Sequence, residues 1–316
     1  MKIPQGTKDK FGGFIPSDIT KSFTTIGRVR VENIYPSSDW KGVGVGNQIK
    51  VTFDQEVDRQ SAVKSFVLTP AVVGSFSWDA NTLIFTPTSR YPYNTEHTVI
   101  INAGVKSING MDSKDIFVSK FTSEDEMFKL AVPAYLQKYS LSCEIAALQM
   151  ALEFKGVKLD EDTIISQVGI DNTPRKDGIW GDPHAAFVGN VSGRQMINGY
   201  GVYWEPIARV ARNYRQATDF RGWGIGQLTH QIASSNPVVI WVYSTNGSPV
   251  SWNTQAGKSI FGVRGEHAVV AVGFVGVKDN PSAIIVNDPL IGQVVWPRAY
   301  FDAKWKTFSQ SGVVIY

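Results

Sequence analysis

A single cysteine, Cys143, stands among 316 residues. That excludes an internal disulfide and a thiolate metal cluster. It leaves the redox compartment open, since a lone thiol suits a reducing cytosol and also an exported protein that keeps its reactive thiol without partners. Charge is sparse too. Charged residues make up 19% of the chain, the formal net charge is +3, and the two signs are interspersed. With no basic run or face, nucleic acid is not an expected partner. No stretch of about 18 apolar residues occurs, so no membrane-spanning helix is expected. The opening residues, MKIPQGTKDK, lack the apolar core of a signal peptide. The chain therefore reads either as cytosolic or as part of a longer exported protein.

What is present is a globular composition, 43% hydrophobic, long enough for two domains. Residues 27–125 read as all-β. Apolar and polar residues alternate in RVRVENIYP, NQIKVTFDQEV, NTLIFTP and HTVIINAGV, separated by turn-rich spacers such as SSDWKG, WDAN and SINGMD. Short strands at regular spacing predict a β-sandwich. The stretch resembles the bacterial Ig-like domains of S-layer and wall-associated surface proteins, on VTFDQEVD (51–58), Leu68-x-Pro70, GSFSWDANTLIFTP (74–87) and SKFTS (119–123). The resemblance implies a spacer or adhesive module. His97, on an alternating strand, reads as a plain strand histidine.

The first residues repeat the end of this stretch. GTKDKFGGFIPSDITKSFT and GVKSINGMDSKDIFVSKFT align without gaps at an offset of 98, so that Gly6 falls on Gly104, Lys8 on Lys106, Gly12 on Gly110, Phe23 on Phe121 and Thr24 on Thr122. Tandem modules produce such repeats. Residues 1–26 are expected to be the C-terminal remnant of a preceding Ig-like repeat, and the chain a piece of a longer protein.

From about Glu126 the texture changes. SCEIAALQMALEF is apolar on most faces, the mark of a buried helix, with Ser140 or Ser142 to cap it and Gly156 to close it. LDEDTIISQVG predicts a second, exposed helix, and IGQLTHQIASS sets Ile225, Leu228 and Ile232 on one face. PVVIWVY, HAVVAVGFV, AIIVNDP and GQVVWP read as strands. Helices first and strands afterwards predict an α+β domain over 126–316.

Cys143 sits where the first turn of the buried helix begins, facing free backbone N–H groups and the positive end of the helix dipole. It is either a small apolar filler or a nucleophile. A base is available. His230 points away from the apolar stripe of its helix and His184 lies in a turn-rich loop, whereas His267 opens a buried strand after GVRGE. If that strand pairs with AIIVNDP through GVKDNPS, either Asn287 or Asp288 returns to His267, because adjacent strand residues face opposite ways. An aspartate there fixes the imidazole tautomer. Gln137, six residues before Cys143, offers an amide that could join the Cys143 backbone N–H in holding a developing oxyanion, each such donor contributing about 3 kcal/mol in known cases. The order Gln, Cys, His, Asp, with 124 positions from Cys143 to His267, approaches the roughly 130-residue interval of papain-like enzymes.

The second domain resembles the bacteriocin-processing-peptidase-like cysteine peptidases of the papain superfamily. The matching segments are QKYSLSC (137–143), GIWGDPHAAFVG (178–189), GYGVY (199–203), GEHAVVAVGF (265–274) and VNDP (286–289). The resemblance implies Cys143 as nucleophile, His267 as base, Asp288 as orienter and Gln137 as oxyanion donor. In the WGDP loop Trp180 and Phe187 are candidate walls of a substrate pocket. Asp182 and His184 are a weak metal pair without a third ligand, so a packed turn is the better reading there.

The expected whole is an all-β Ig-like sandwich followed by an α+β papain-like peptidase. The expected activity is cleavage of a peptide or isopeptide bond through an acyl-thioester. Two alternatives are acyl transfer at the same site and a non-catalytic adhesion protein with a relic peptidase domain. No metal or organic cofactor is expected. The expected partner is a peptide or protein, with a cell-wall peptide among the candidates, and the Ig-like resemblance implies a secreted or surface location.

Overall fold

Ile49, Val51 and Phe53 are buried while Lys50 is exposed and Thr52 half-buried, the period-2 pattern of a strand with one face on a core. This pattern recurs through the first of two units, Met1–Glu124 and Asp125–Tyr316, into which the chain divides. The computed structural model describes residues 1–23 and 25–316.

The first unit opens with a small ladder, β1 (Lys2–Ile3) antiparallel to β2 (Ile19–Thr20). Then follow β3 (Val31–Tyr35), β4 (Trp40–Val43), β5 (Ile49–Phe53), helix α1 (Arg59–Ser65), β6 (Phe66–Thr69), β7 (Gly74–Asp79), β8 (Thr82–Pro87), β9 (Glu96–Ile101) and β10 (Phe117–Ser123). Two four-stranded sheets result, β3-β5-β8-β7 and β4-β10-β9-β6, and side chains from both build one core. This is the expected sandwich. His97 lies on β9, fully buried between the rings of Tyr91 and Phe121 at 5.0 and 5.1 Å.

The ladder at the start has the build of the sandwich's last hairpin. Ile3 faces Ile19 and Lys2 faces Thr20; 98 positions on, Ile101 faces Phe117 and Ile100 faces Val118. The Gly6 N–H donates to the Ile15 carbonyl at 2.9 Å and that of Ile15 to Thr7 at 3.0 Å; the Gly104 N–H donates to Ser113 at 3.0 Å and that of Ser113 to Val105 at 2.9 Å. Gly6 and Gly104 both take positive φ, 81° and 96°, which glycine adopts without strain. The sequence repeat is thus also a repeat of backbone pairing. Thr24, aligned above with Thr122, lies outside the described residues.

The second unit runs β11 (Met127–Lys129), α2 (Cys143–Phe154), α3 (Glu161–Val168), β12 (Ile170–Asp171), β13 (Phe187–Val188), α4 (Trp204–Arg212), β14 (Ala217–Phe220), α5 (Ile225–Ala233), β15 (Val238–Tyr243), β16 (Pro249–Asn253), β17 (Ser259–Val263), β18 (Glu266–Val277), β19 (Asn280–Asp288), β20 (Gly292–Pro297), α6 (Arg298–Lys306) and β21 (Gly312–Ile315). Its main sheet is antiparallel, in the order β14-β21-β15-β18-β19-β20, with β11 also on β18. Helix α2 lies against β18 and β15. From Cys143 to Leu152 only Gln149 is even half-exposed, so the helix is held by burial on nearly every side. The N-cap Ser142 makes no side-chain capping bond, so the tertiary packing, rather than the expected cap, fixes where the helix begins. Gly156, just past the last turn, has φ of 79° and closes the helix as expected. Among the described residues no helix is long and apolar enough to cross a membrane.

Candidate active site

The long strand β18 and its hairpin partner β19 bring His267 and Asp288 together. Pairing through the Val277–Asn280 turn sets Val270 opposite Asn287, and Asp288 then reaches back toward the first residues of β18. His267 Nε2 lies 2.7 Å from Asp288 Oδ1, with both side chains buried. Asn287 points the opposite way, as strand alternation requires. Its amide donates to the Val132 and Pro133 carbonyls at 3.0 and 3.1 Å, and its oxygen accepts from Gln293 at 2.8 Å. Asp288 also holds the turn after it, accepting from the Leu290 N–H at 2.9 Å.

Cys143 begins α2 across from this strand, and a cleft of about 230 Å³ is lined by Gln137, Leu141, Cys143, Tyr200, Thr245, His267 and Leu290, among others. Gln137, Cys143 and His267, three of the residues singled out above, thus line one cleft, with Asp288 bonded to His267. The sulfur itself is turned inward. The thiol donates to Glu144 Oε2 at 3.3 Å and sits near the Ala268 N–H, and among the described residues no hydrogen bond joins it to His267. In this orientation burial, then the Glu144 and Glu266 carboxyls, push the thiol well above its usual range, and the Ala268 N–H only partly offsets them. Gln137 is anchored to the hairpin by its N–H on the Pro289 carbonyl at 2.9 Å. Its side-chain amide donates to Tyr139 O at 2.7 Å, and its oxygen is buried without a partner among the described residues.

Trp180 and Phe187 are not cleft walls. Each is 1% exposed and belongs to the domain core. Trp180 packs on Tyr200 and Trp252, one layer behind the cleft-lining Tyr200. The WGDP loop is drawn inward by a backbone bond, Trp180 N–H to Asn253 O at 2.9 Å, and by the Trp252 indole, whose Nε1 donates to Gly181 O at 2.7 Å. Asp182 and His184 have partners of their own. Asp182 accepts from Lys258 and from the His184 N–H, and the His184 ring bonds Glu205 at 2.8 Å.

Three residues of the site were not singled out from the sequence. Glu144 follows Cys143, Glu266 precedes His267, and both are buried. With Cys143 they form the one group of three among the described residues whose ligand atoms lie within 4.8 Å of one another, close enough to share an ion or a proton. Gln195, on the cleft wall, accepts from the Gly265 N–H at 2.7 Å and donates to Glu266 O at 2.9 Å, so a loop amide grips the start of β18.

Comparison with known proteins gives the family of this domain. The profile of the Peptidase_C39 like family matches residues 129–313. The chain belongs to that family. A bacterial Ig-like domain matches residues 27–123. The C39-like region is similar to the uncharacterized protein YvpB of Bacillus subtilis, at 30% identity over 181 residues, 55% of this chain and 68% of that one. It is also similar to a candidate C39-like peptidase from Bacillus anthracis whose crystal structure is known, at 27% identity and a TM-score of 0.54, covering 61% of this chain and 98% of the other.

Proposed function

We propose that the C39-like domain is a thiol hydrolase cleaving a peptide or isopeptide bond, with Cys143 as nucleophile, His267 as base, Asp288 as orienter and Gln137 as oxyanion donor. The observation that carries this reading is the buried His267–Asp288 contact at 2.7 Å on the wall of a cleft that also holds Cys143. Asp288 takes the Nε2 side of the ring, which assigns Nδ1 to the thiol. A turn of the Cys143 side chain from Glu144 toward His267 would bring the sulfur to that nitrogen. The thiol proton passes to Nδ1 and the sulfur adds to the scissile carbonyl carbon. The C–N bond breaks, the amine takes the proton from His267, and an acyl-thioester remains. Water then gives its proton to His267 and adds to the acyl carbon, and the carboxylic acid leaves as the thiol re-forms. Swinging the Gln137 amide off Tyr139 O would supply one oxyanion donor and the Cys143 N–H the other.

The Ig-like domain acts in this reading as a spacer or adhesive module on an exported or surface protein, and residues 1–26 as the closing hairpin of another module of the same kind. The substrate is then a peptide or protein at the cell surface, a cell-wall peptide included. The test is digestion of a peptide library, with products identified by mass. Cleavage by the native chain and none by Cys143→Ala is expected; equal products from both, or none from either, would remove the hydrolase reading.

A further inference from the structure

Glu144 follows the nucleophile on α2, and Glu266 precedes the base on β18. They are 0% and 4% exposed, and a carboxyl oxygen of each lies within 4.8 Å of the other. The mechanism above uses neither. Room for the pair is made by Gly201, where a Cβ would lie 2.4 Å from Glu144 Oε1 and 2.5 Å from Glu266 Oε2, and where φ is 149°. Glu144 Oε1 also accepts from the Val202 N–H at 2.7 Å. Glu266 Oε1 is buried with no partner among the described residues.

Two adjacent carboxyl groups in such a place cannot both be ionised without a cation, and no lysine or arginine contributes to either. A hydrogen bond between them would require a proton, since two carboxylates have only acceptors to offer. We propose that Glu144 and Glu266 form a proton-sharing carboxyl pair that positions Cys143 against His267, tying the residue after the nucleophile to the residue before the base. This rests on the assignment of Cys143 and His267 above. The pair is faced by the Cys143 thiol from α2 and by the Tyr200 and Tyr203 hydroxyls from the segment before α4, and the next residue on β18, His267, is held by Asp288. All are neutral or acidic groups apart from the imidazole. Burial lifts Glu144 to about 7, and burial and then the Glu144 carboxyl raise Glu266 well above its ordinary value. As the first proton leaves, negative charge appears beside the sulfur, which opposes thiolate formation. Loss of the second would break the tie between α2 and β18.

The test is the alkylation rate of Cys143, the sole cysteine, by iodoacetamide across pH, in the full chain. The native protein should show a downward bend near pH 7 on the rising thiolate profile. Glu266→Gln should move that bend to lower pH, because the amide donates to a Glu144 carboxylate. The double variant Glu144→Gln/Glu266→Gln keeps shape and hydrogen bonding, cannot ionise, and should lose the bend, reacting about tenfold faster than the native protein above it, the equivalent of one pKa unit. Glu266→Ala breaks the tie and should react more slowly at every pH. A bend at the same pH in the native protein and both glutamine variants would overturn the proposal, as would a glutamine variant no better than alanine. His267→Ala separates the two ideas. If its profile overlays the native one, the nucleophile assignment fails and the pair's role falls with it. If it shifts while the glutamine variants do not, the pair alone is refuted.

Discussion

His267 Nε2 and Asp288 Oδ1 lie 2.7 Å apart, buried at the open end of the β18–β19 hairpin, while the adjacent Asn287 turns away to bind the Val132 and Pro133 carbonyls. Neighbouring positions on one strand therefore do different work. Asp288→Ala should lower peptide cleavage by at least about a hundredfold, with little change in melting temperature, because it removes the group that fixes the ring tautomer. Asn287→Ala should instead cost about 1–3 kcal/mol of stability by stranding two buried carbonyls and the Gln293 amide. Paired assays of cleavage and thermal unfolding read both, and the reverse ranking would exchange the two roles.

The histidine in the Ig-like domain predicts an acid-sensitive fold. Burial holds His97 below its ordinary 6.5, against a weaker pull from the Pro70 carbonyl. A histidine with a depressed folded pKa contributes fully above the unfolded pKa, and that contribution is lost as pH falls below about 6.5 because the unfolded chain takes up the proton first. His97→Phe, which keeps a flat ring against Tyr91 and Phe121, should flatten this part of the pH dependence of the Ig-like transition. Calorimetry between pH 5 and 8 checks it, and an unchanged slope would reject it.

The opposite sign is expected in the peptidase domain. Glu144 is raised from 4.5 to about 7, so its contribution is complete below pH 4.5 and is lost as pH rises through about 7. The double glutamine variant should lose that decline in the transition of the second unit while leaving the Ig-like transition as it was.

Trp180 tests the placement of the WGDP loop. Trp180→Ala should destabilise the peptidase domain by about 3–5 kcal/mol, the range for emptying a buried aromatic site. A wall of the substrate pocket would instead show altered cleavage preference with native stability, and a peptide-library profile distinguishes the two.

The first hairpin makes its hydrogen bonds within itself. Among the described residues none joins 1–23 to the sandwich that follows. Removing residues 1–26 should leave both unfolding transitions unchanged. A fall in the Ig-like transition would mean that the hairpin is part of that domain's own fold.

Much of this was legible in the sequence where the signal was local. Strand alternation gave the sandwich, the continuous apolar run gave α2, and the GVKDNPS turn between two apolar strands brought Asp288 to His267. The 98-residue repeat gave a hairpin whose register the structure reproduces. What escaped depends on distant packing. Glu144 in the first turn of a helix reads as an ordinary partner of the helix dipole, and Glu266 reads as the polar end of a loop. Only the meeting of α2 with β18 over Gly201 makes them a pair. Helix α4 was not anticipated, although Ile207, Val210 and Ala211 are all buried on it. Trp180 and Phe187 misled because glycine and proline around them suggest a surface turn, whereas backbone bonds to β16 pull the loop inside.

The central claim is that Cys143 is activated by His267. Burial, then its resting contact with Glu144, raises the thiol, whereas turning to the imidazole would hand over its proton, so the two orientations predict opposite reactivity. Iodoacetamide labelling of the native chain and of His267→Ala across pH measures this directly. The account predicts rapid labelling of the native protein well below pH 8 and an upward shift in the variant. Slow, ordinary thiol behaviour in both would contradict it.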